Sequence, residues 1–128
     1  MATEILNNLY MESVGKHSFE FKEAAKGVTT TLAALSDLID VRDVDFLGVS
    51  LMNTGSVALT AFQLRAKTSV GSTVTAYKTT WTNTLQTLAG GANAVEFVDV
   101  RGLGWVQFWG SVGATTTTVD IHGICLKT

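Results

Sequence analysis

Four aspartates crowd positions 37, 40, 43 and 45, a density that would suit the paired acids of a glycosidase or the oxygen ligands of a calcium loop. A calcium loop of the EF-hand type also needs a glycine and a terminal glutamate in fixed register, and neither is in place. Asp40 and Asp99 are each followed two residues later by an arginine, Arg42 and Arg101. That step predicts turn capping or a local ion pair at a strand end rather than catalysis. The two histidines, His17 and His122, have no second histidine at metal-ligand spacing. Cys125 follows His122 by three residues, which on a strand turns the two side chains to opposite faces. They therefore make no thiol–imidazole nucleophile, and the cysteine is expected as a buried core thiol. Asp120 and His122 share a face, yet no serine in a strained turn completes a triad. Gly90-Gly91 and Gly102-Leu103-Gly104 lack the lysine and the strand-to-helix setting of a phosphate loop. These residues predict no catalytic site, no cofactor and no metal, hence no enzyme.

The elements that position these residues come twice. Asp37-Leu38-Ile39-Asp40-Val41-Arg42 returns 59 residues later as Glu96-Phe97-Val98-Asp99-Val100-Arg101, and the same offset aligns Phe46 with Trp105, Leu47 with Val106 and Val49 with Phe108. The internal duplication spans 37–51 and 96–110. A period of that size in 128 residues is too long for a solenoid and too short for two domains, so the halves are expected to share one core.

Residues 29–41 also fit helical spacing through Leu32, Leu35, Leu38 and Ile39, but their counterpart, 94–100, is β-branched and aromatic without a helical period, so both copies are predicted as strands. Ser18–Lys22 alternates strictly, and Gly27 is predicted as a turn. Residues 47–51, the turn signal Asn53-Thr54-Gly55-Ser56 and residues 58–66, with Phe62, Leu64 and Ala66 on one face, predict a hairpin. The plan repeats in 106–112 and 116–126, and a further strand is expected over Thr73–Trp81, before a loop over 83–93. About eight strands with frequent turns predict an all-β fold, an antiparallel β-sandwich of jelly-roll type. Residues 16–128 are expected as its single domain, with 1–15 as an amino-terminal arm carrying Leu9 and Tyr10. With no proline to blunt strand edges, pairing with a neighbour is one way to cover them.

Parity separates the faces of the duplicated strands. Leu47, Val49 and Leu51, with Val106, Phe108 and Gly110, are predicted to face the core. Phe46, Gly48 and Ser50 then face outward in the first copy, against Trp105, Gln107 and Trp109 in the second. Trp105 either closes the end of the core or joins Trp109 outside. An outward Trp109 needs cover from the chain's own loop or arm, or from another molecule. Leu9, Tyr10, Trp105 and Trp109 are the candidate interface residues.

Composition narrows the partners. Net charge is −2 and pI near 5.5, which excludes the clustered cations of a nucleic-acid binder. A single cysteine and a start with no basic, then apolar, pattern predict synthesis in a reducing cytoplasm without an export signal. No run of eighteen apolar residues predicts a membrane span. Charged residues are only 16% of the chain, and so neutral a surface favours self-association into a homo-oligomer.

The stretches Ile39-Asp40-Val41-Arg42, Leu47 through Gly55, Leu59-Thr60-Ala61-Phe62, Ala92-Asn93-Ala94-Val95 and Val98 through Gly102 resemble segments of small β-sandwich virion proteins of tailed bacteriophages. The likeness covers 29–125 and is greatest to head decoration, or cement, proteins. It implies a non-enzymatic clamp, assembled in the host cytoplasm, that sits on the capsid surface, binds the major capsid protein and stabilises the shell. Two alternatives stand beside it. One is a carbohydrate-binding module, in which Trp105 and Trp109, about 13 Å apart on one strand, stack on the rings of a surface glycan. The other is a neck or tail component, which differs from a decoration protein in copy number.

Overall fold

Wherever inward Leu, Val, Ile and Phe alternate with outward residues the chain is extended, and the computed structural model, which describes residues 3–6 and 19–127, forms ten strands. They are β1 (Glu4–Leu6), β2 (Phe19–Val28), β3 (Ala33–Ala34), β4 (Ile39–Asp40), β5 (Phe46–Asn53), β6 (Leu59–Lys67), β7 (Thr75–Lys78), β8 (Asn93–Asp99), β9 (Trp105–Val112) and β10 (Thr117–Leu126). One short 3-10 helix, Leu85–Thr87, interrupts them. The strands form two antiparallel sheets, β1-β2-β10-β5-β8 and β3-β9-β6-β7, with β4 also paired to β9. The fold is an all-β sandwich. Leu9, Tyr10 and His17 lie outside the described residues.

The duplication is expressed as a reciprocal exchange. β5, from the first half, lies between β10 and β8 of the second. β9, from the second half, lies between β6 and the short strands β3 and β4 of the first. The 59-residue offset carries one set of pairs onto the other: Ile39 opposite Val106 becomes Val98 opposite Leu47, and Lys67 opposite Trp105 becomes Leu126 opposite Phe46. Even the corner hydrogen bonds repeat, with the Val41 N–H donating to the Gly104 carbonyl at 2.9 Å and the Val100 N–H to the Asp45 carbonyl at 2.9 Å. Each half thus completes the other half's sheet.

Five sequence expectations are corrected by this structure. Residues 47–66 are not a hairpin, because β5 and β6 belong to opposite sheets and the turn at 53–56 carries the chain across the sandwich. The same holds for β9 and β10. Asn53 makes that crossing rigid: its buried amide donates to the Val57 and Leu88 carbonyls, while its Oδ1 accepts from Gly55 N–H and the Thr117 hydroxyl. The 29–41 strand shrinks to β3 and β4, because the Ser36 hydroxyl takes the Phe108 N–H at 3.0 Å in place of a ladder carbonyl. Gly27 is no turn but lies within β2. The strand expected to reach Trp81 stops at Lys78, and Trp81 folds under the sheet edge into the core, 1% exposed, its indole N–H donating to the Phe62 carbonyl at 2.7 Å.

The core is an aromatic stack across the two sheets. Phe21 of one sheet packs on Phe108 of the other at 5.8 Å between ring centres, Phe108 on Phe62 at 5.6 Å, and Phe62 on Trp81 at 5.4 Å. Leu47, Val49, Leu51, Val106 and Phe108 are all fully buried, as parity predicts. On one open side Thr3 links the sheets. Its hydroxyl donates to buried Glu23 of β2 at 2.7 Å, its N–H donates to Asp37 at 3.1 Å, and it accepts the Asp37 N–H at 3.0 Å.

Candidate functional site

The duplicated Asp-Val-Arg corners are structural. Arg42 donates Nε–H and Nη2–H to the Asp40 carboxylate (3.0 and 2.6 Å), and Arg101 does the same with Asp99. In each, the aspartate also caps the arginine's own N–H at 3.0 Å. Hydrogen bonds from the arginine hold both carboxyls below the ordinary carboxylate range. Each guanidinium then lies over the aromatic ring at the start of the other half's strand: Arg42 over Trp105 at 4.8 Å, Arg101 over Phe46 at 5.2 Å. The pair locks one half to the other.

Outward from β9 the picture departs from β5. Trp105, Gln107 and Trp109 lie in one row, half-buried, beside Lys67, Arg65 and Gln63 of β6. The Trp109 ring carries the Arg65 guanidinium at 4.1 Å and donates its N–H to Gln107 at 2.9 Å. Gln107 in turn donates to the Ser36 carbonyl at 2.9 Å, which pins the row to the sheet edge. Lys67 stands 5.4 Å from the Trp105 ring centre. Both tryptophans are therefore outward, with Arg65 over Trp109 and Arg42 and Lys67 over Trp105. The alternation Gln63, Arg65, Lys67 is visible in the sequence. The cross-strand register that sets these residues against the tryptophans is not.

The outer face of the other sheet carries an exposed apolar patch at its β8 edge. Phe97 is 66% and Val95 56% exposed on the edge strand β8. With Gly48, Ile124, His122 and Glu20 they line a shallow groove of about 290 Å³. A side chain at Gly48 would meet the Phe97 ring within 3.1 Å, so glycine there lets the ring lie flat on the sheet. Along that edge Asn83 donates to the Val95 carbonyl and the Tyr77 hydroxyl to the Asp99 carbonyl, which satisfies part of its backbone.

His122 is exposed and Cys125 buried, as opposite parity requires, and burial pushes the thiol up to about 12. Asp120 accepts the Ala25 N–H at 2.6 Å, where β2 bulges with a positive φ of 52°. Among the described residues no three His, Cys, Asp or Glu side chains are grouped to hold a metal ion, and no helix is long and apolar enough to cross a membrane.

No protein-family model and no curated protein matches the chain. Solved structures do match, by fold. The SPBc2 prophage-derived protein YomS is similar with a TM-score of 0.61 at 16% identity, over 88% of this chain and 95% of YomS. The PBSX exported protein XepA is similar with a TM-score of 0.62 at 15% identity, over 88% of this chain but only 38% of XepA. The STIV MCP gives 0.52 at 9% identity, over 87% of this chain and 40% of its own length. The chain shares the sandwich fold of prophage-derived and viral capsid proteins.

Proposed function

We propose that this chain is a non-enzymatic structural protein of a tailed-phage virion, a decoration or cement protein that binds the major capsid protein on the outside of the assembled head. The observation that carries the virion reading is the fold likeness to prophage-derived YomS across nearly the whole of both chains. The decoration role rests on the kind of surface present. A protein that binds in many copies gains affinity from repeated modest contacts on flat faces and edges. The β9 face, with Trp105 and Trp109, and the apolar β8 edge are such surfaces. Leu9 and Tyr10 of the amino-terminal arm belong to the same proposed contact, and self-association of the chain on the shell accompanies it.

The carbohydrate-binding alternative is favoured by the same tryptophans, four residues apart on one outward row, but the Arg65 guanidinium lies over the ring of Trp109, and the Arg42 guanidinium and the Lys67 ammonium lie over that of Trp105, where a sugar would stack. A neck or tail role differs in stoichiometry. Quantitative mass spectrometry of purified particles tests all three. A simple ratio to the coat subunit supports decoration, a few copies per particle moves the chain to neck or tail, and absence from particles overturns the virion reading.

A further inference from the structure

We infer that the outer face of β6 and β9 is a docking surface for an extended acidic segment of a partner protein, with Arg65 and Lys67 as its carboxylate receptors. The chain as a whole is acidic, with eleven carboxylates against nine Lys and Arg, yet on this face the sign reverses. Arg42 is neutralised by Asp40, whereas among the described residues Arg65 and Lys67 have no carboxylate partner. A surface of opposite sign is what complements them.

Both cations are held ready. Arg65 donates Nε–H to Gln63 at 3.1 Å and holds its guanidinium 4.1 Å from the Trp109 ring centre, which leaves its Nη N–H groups for a bidentate carboxylate. Lys67 donates to the Val70 carbonyl at 3.2 Å beside Trp105, with its other protons free to donate. The conformational freedom that a long cationic side chain normally loses on binding is already restricted, which favours affinity. The two residues are alternate on one strand and so about 7 Å apart, the spacing of alternate carboxylates along an extended chain. Trp and Arg are also among the residue types enriched at protein interface centres. The cation-covered indoles offer no open ring to a sugar.

This deepens the proposed capsid contact and rests on it only for the origin of the acidic segment, so its test needs no particle. Fluorescence anisotropy of the full chain uses a labelled ten-residue peptide with Asp at alternate positions, its Asn counterpart, and a polyuronate as competing polyanion. Binding of the Asp peptide, about tenfold weaker at high salt and about tenfold weaker in Arg65→Gln or Lys67→Gln, with little binding of the Asn peptide, is the result expected. Arg65→Lys keeps the charge but loses the planar fork, so it is expected to lie between. Unchanged melting temperature of the variants assigns the loss to the surface and not to folding. The inference is overturned by equal binding of the Asn peptide, by no binding of the Asp peptide, by indifference of the double variant, or by preference for the polyuronate. Co-sedimentation with particles, run separately, tells failure of this chemistry from failure of the virion reading.

Discussion

β5 and β9 hold equivalent places in the two halves, and comparing them face by face separates what the fold demands from what it leaves open. Inward, Leu47, Val49 and Leu51 and their partners Val106, Phe108 and Gly110 are all buried. All three pairs change size, and the largest loss, Leu51 against Gly110, is compensated, since Leu35 fills the space above Gly110. Outward, Phe46, Gly48 and Ser50 face Trp105, Gln107 and Trp109. On one side an exposed Phe97 lies over a glycine, and on the other tryptophans alternate with cations and amides. Core residues diverged only as far as packing volume allowed. The outer faces diverged in chemistry.

The inward side is expected to break most. Phe108→Ala removes the centre of the four-ring stack and should cost about 3–5 kcal/mol, read as a lower urea midpoint. If Trp109→Ala cost as much, the inner and outer faces would not differ as described. Next is a graft of one strand's outer face onto the other. Gly48→Gln places a side chain under the Phe97 ring and should cost about 1–3 kcal/mol, with part recovered in the double variant carrying Phe97→Ala, which a double-mutant cycle would detect. Smaller again is the coupling between Trp109 and Arg65, expected at about 0.5–1 kcal/mol in a cycle of Trp109→Ala and Arg65→Gln.

The smallest effect concerns the corners, where the halves agree. Carboxyl titration by NMR should find Asp40 and Asp99 below the usual aspartate range, and Arg42→Ala or Arg101→Ala should return each toward it. Because the folded value lies below the unfolded one, each pair stabilises above the unfolded aspartate range. That contribution is lost as pH falls through the folded value. Side chains this exposed keep the resulting slope slight.

Much of the fold was legible because duplication doubles the signal. Residues 29–41 alone fit a helix, and only their resemblance to 94–100 marks them as extended. The hairpins were not legible. Asn53-Thr54-Gly55-Ser56 has turn chemistry, but nothing in a turn's residue types says whether the next strand pairs with the last or crosses to the facing sheet. Asn53's four side-chain hydrogen bonds, two of them to Leu88 and Thr117 far along the chain, decide that. Trp81 was hidden for a related reason, since its place in the core depends on a loop that folds under β6. Of the candidate contact residues, Trp109 could be assigned outward by parity, while for Trp105 the end of the core and the outer face were equally open. Arg65 and Lys67 became visible only once β6 and β9 were set in register.

The exchange of strands between the halves also governs the order in which this protein can form. Neither central strand meets a neighbour from its own half, so a chain emerging from the ribosome has no native sheet around β5 until β8 and β10 exist. The contacts that matter join residues far apart in sequence, as Ser36 with Phe108 and Thr54 with Thr118. Closing such long loops before any reward makes for slow, all-or-none folding. Opening either half strips the central strand of the other half of its sheet neighbours.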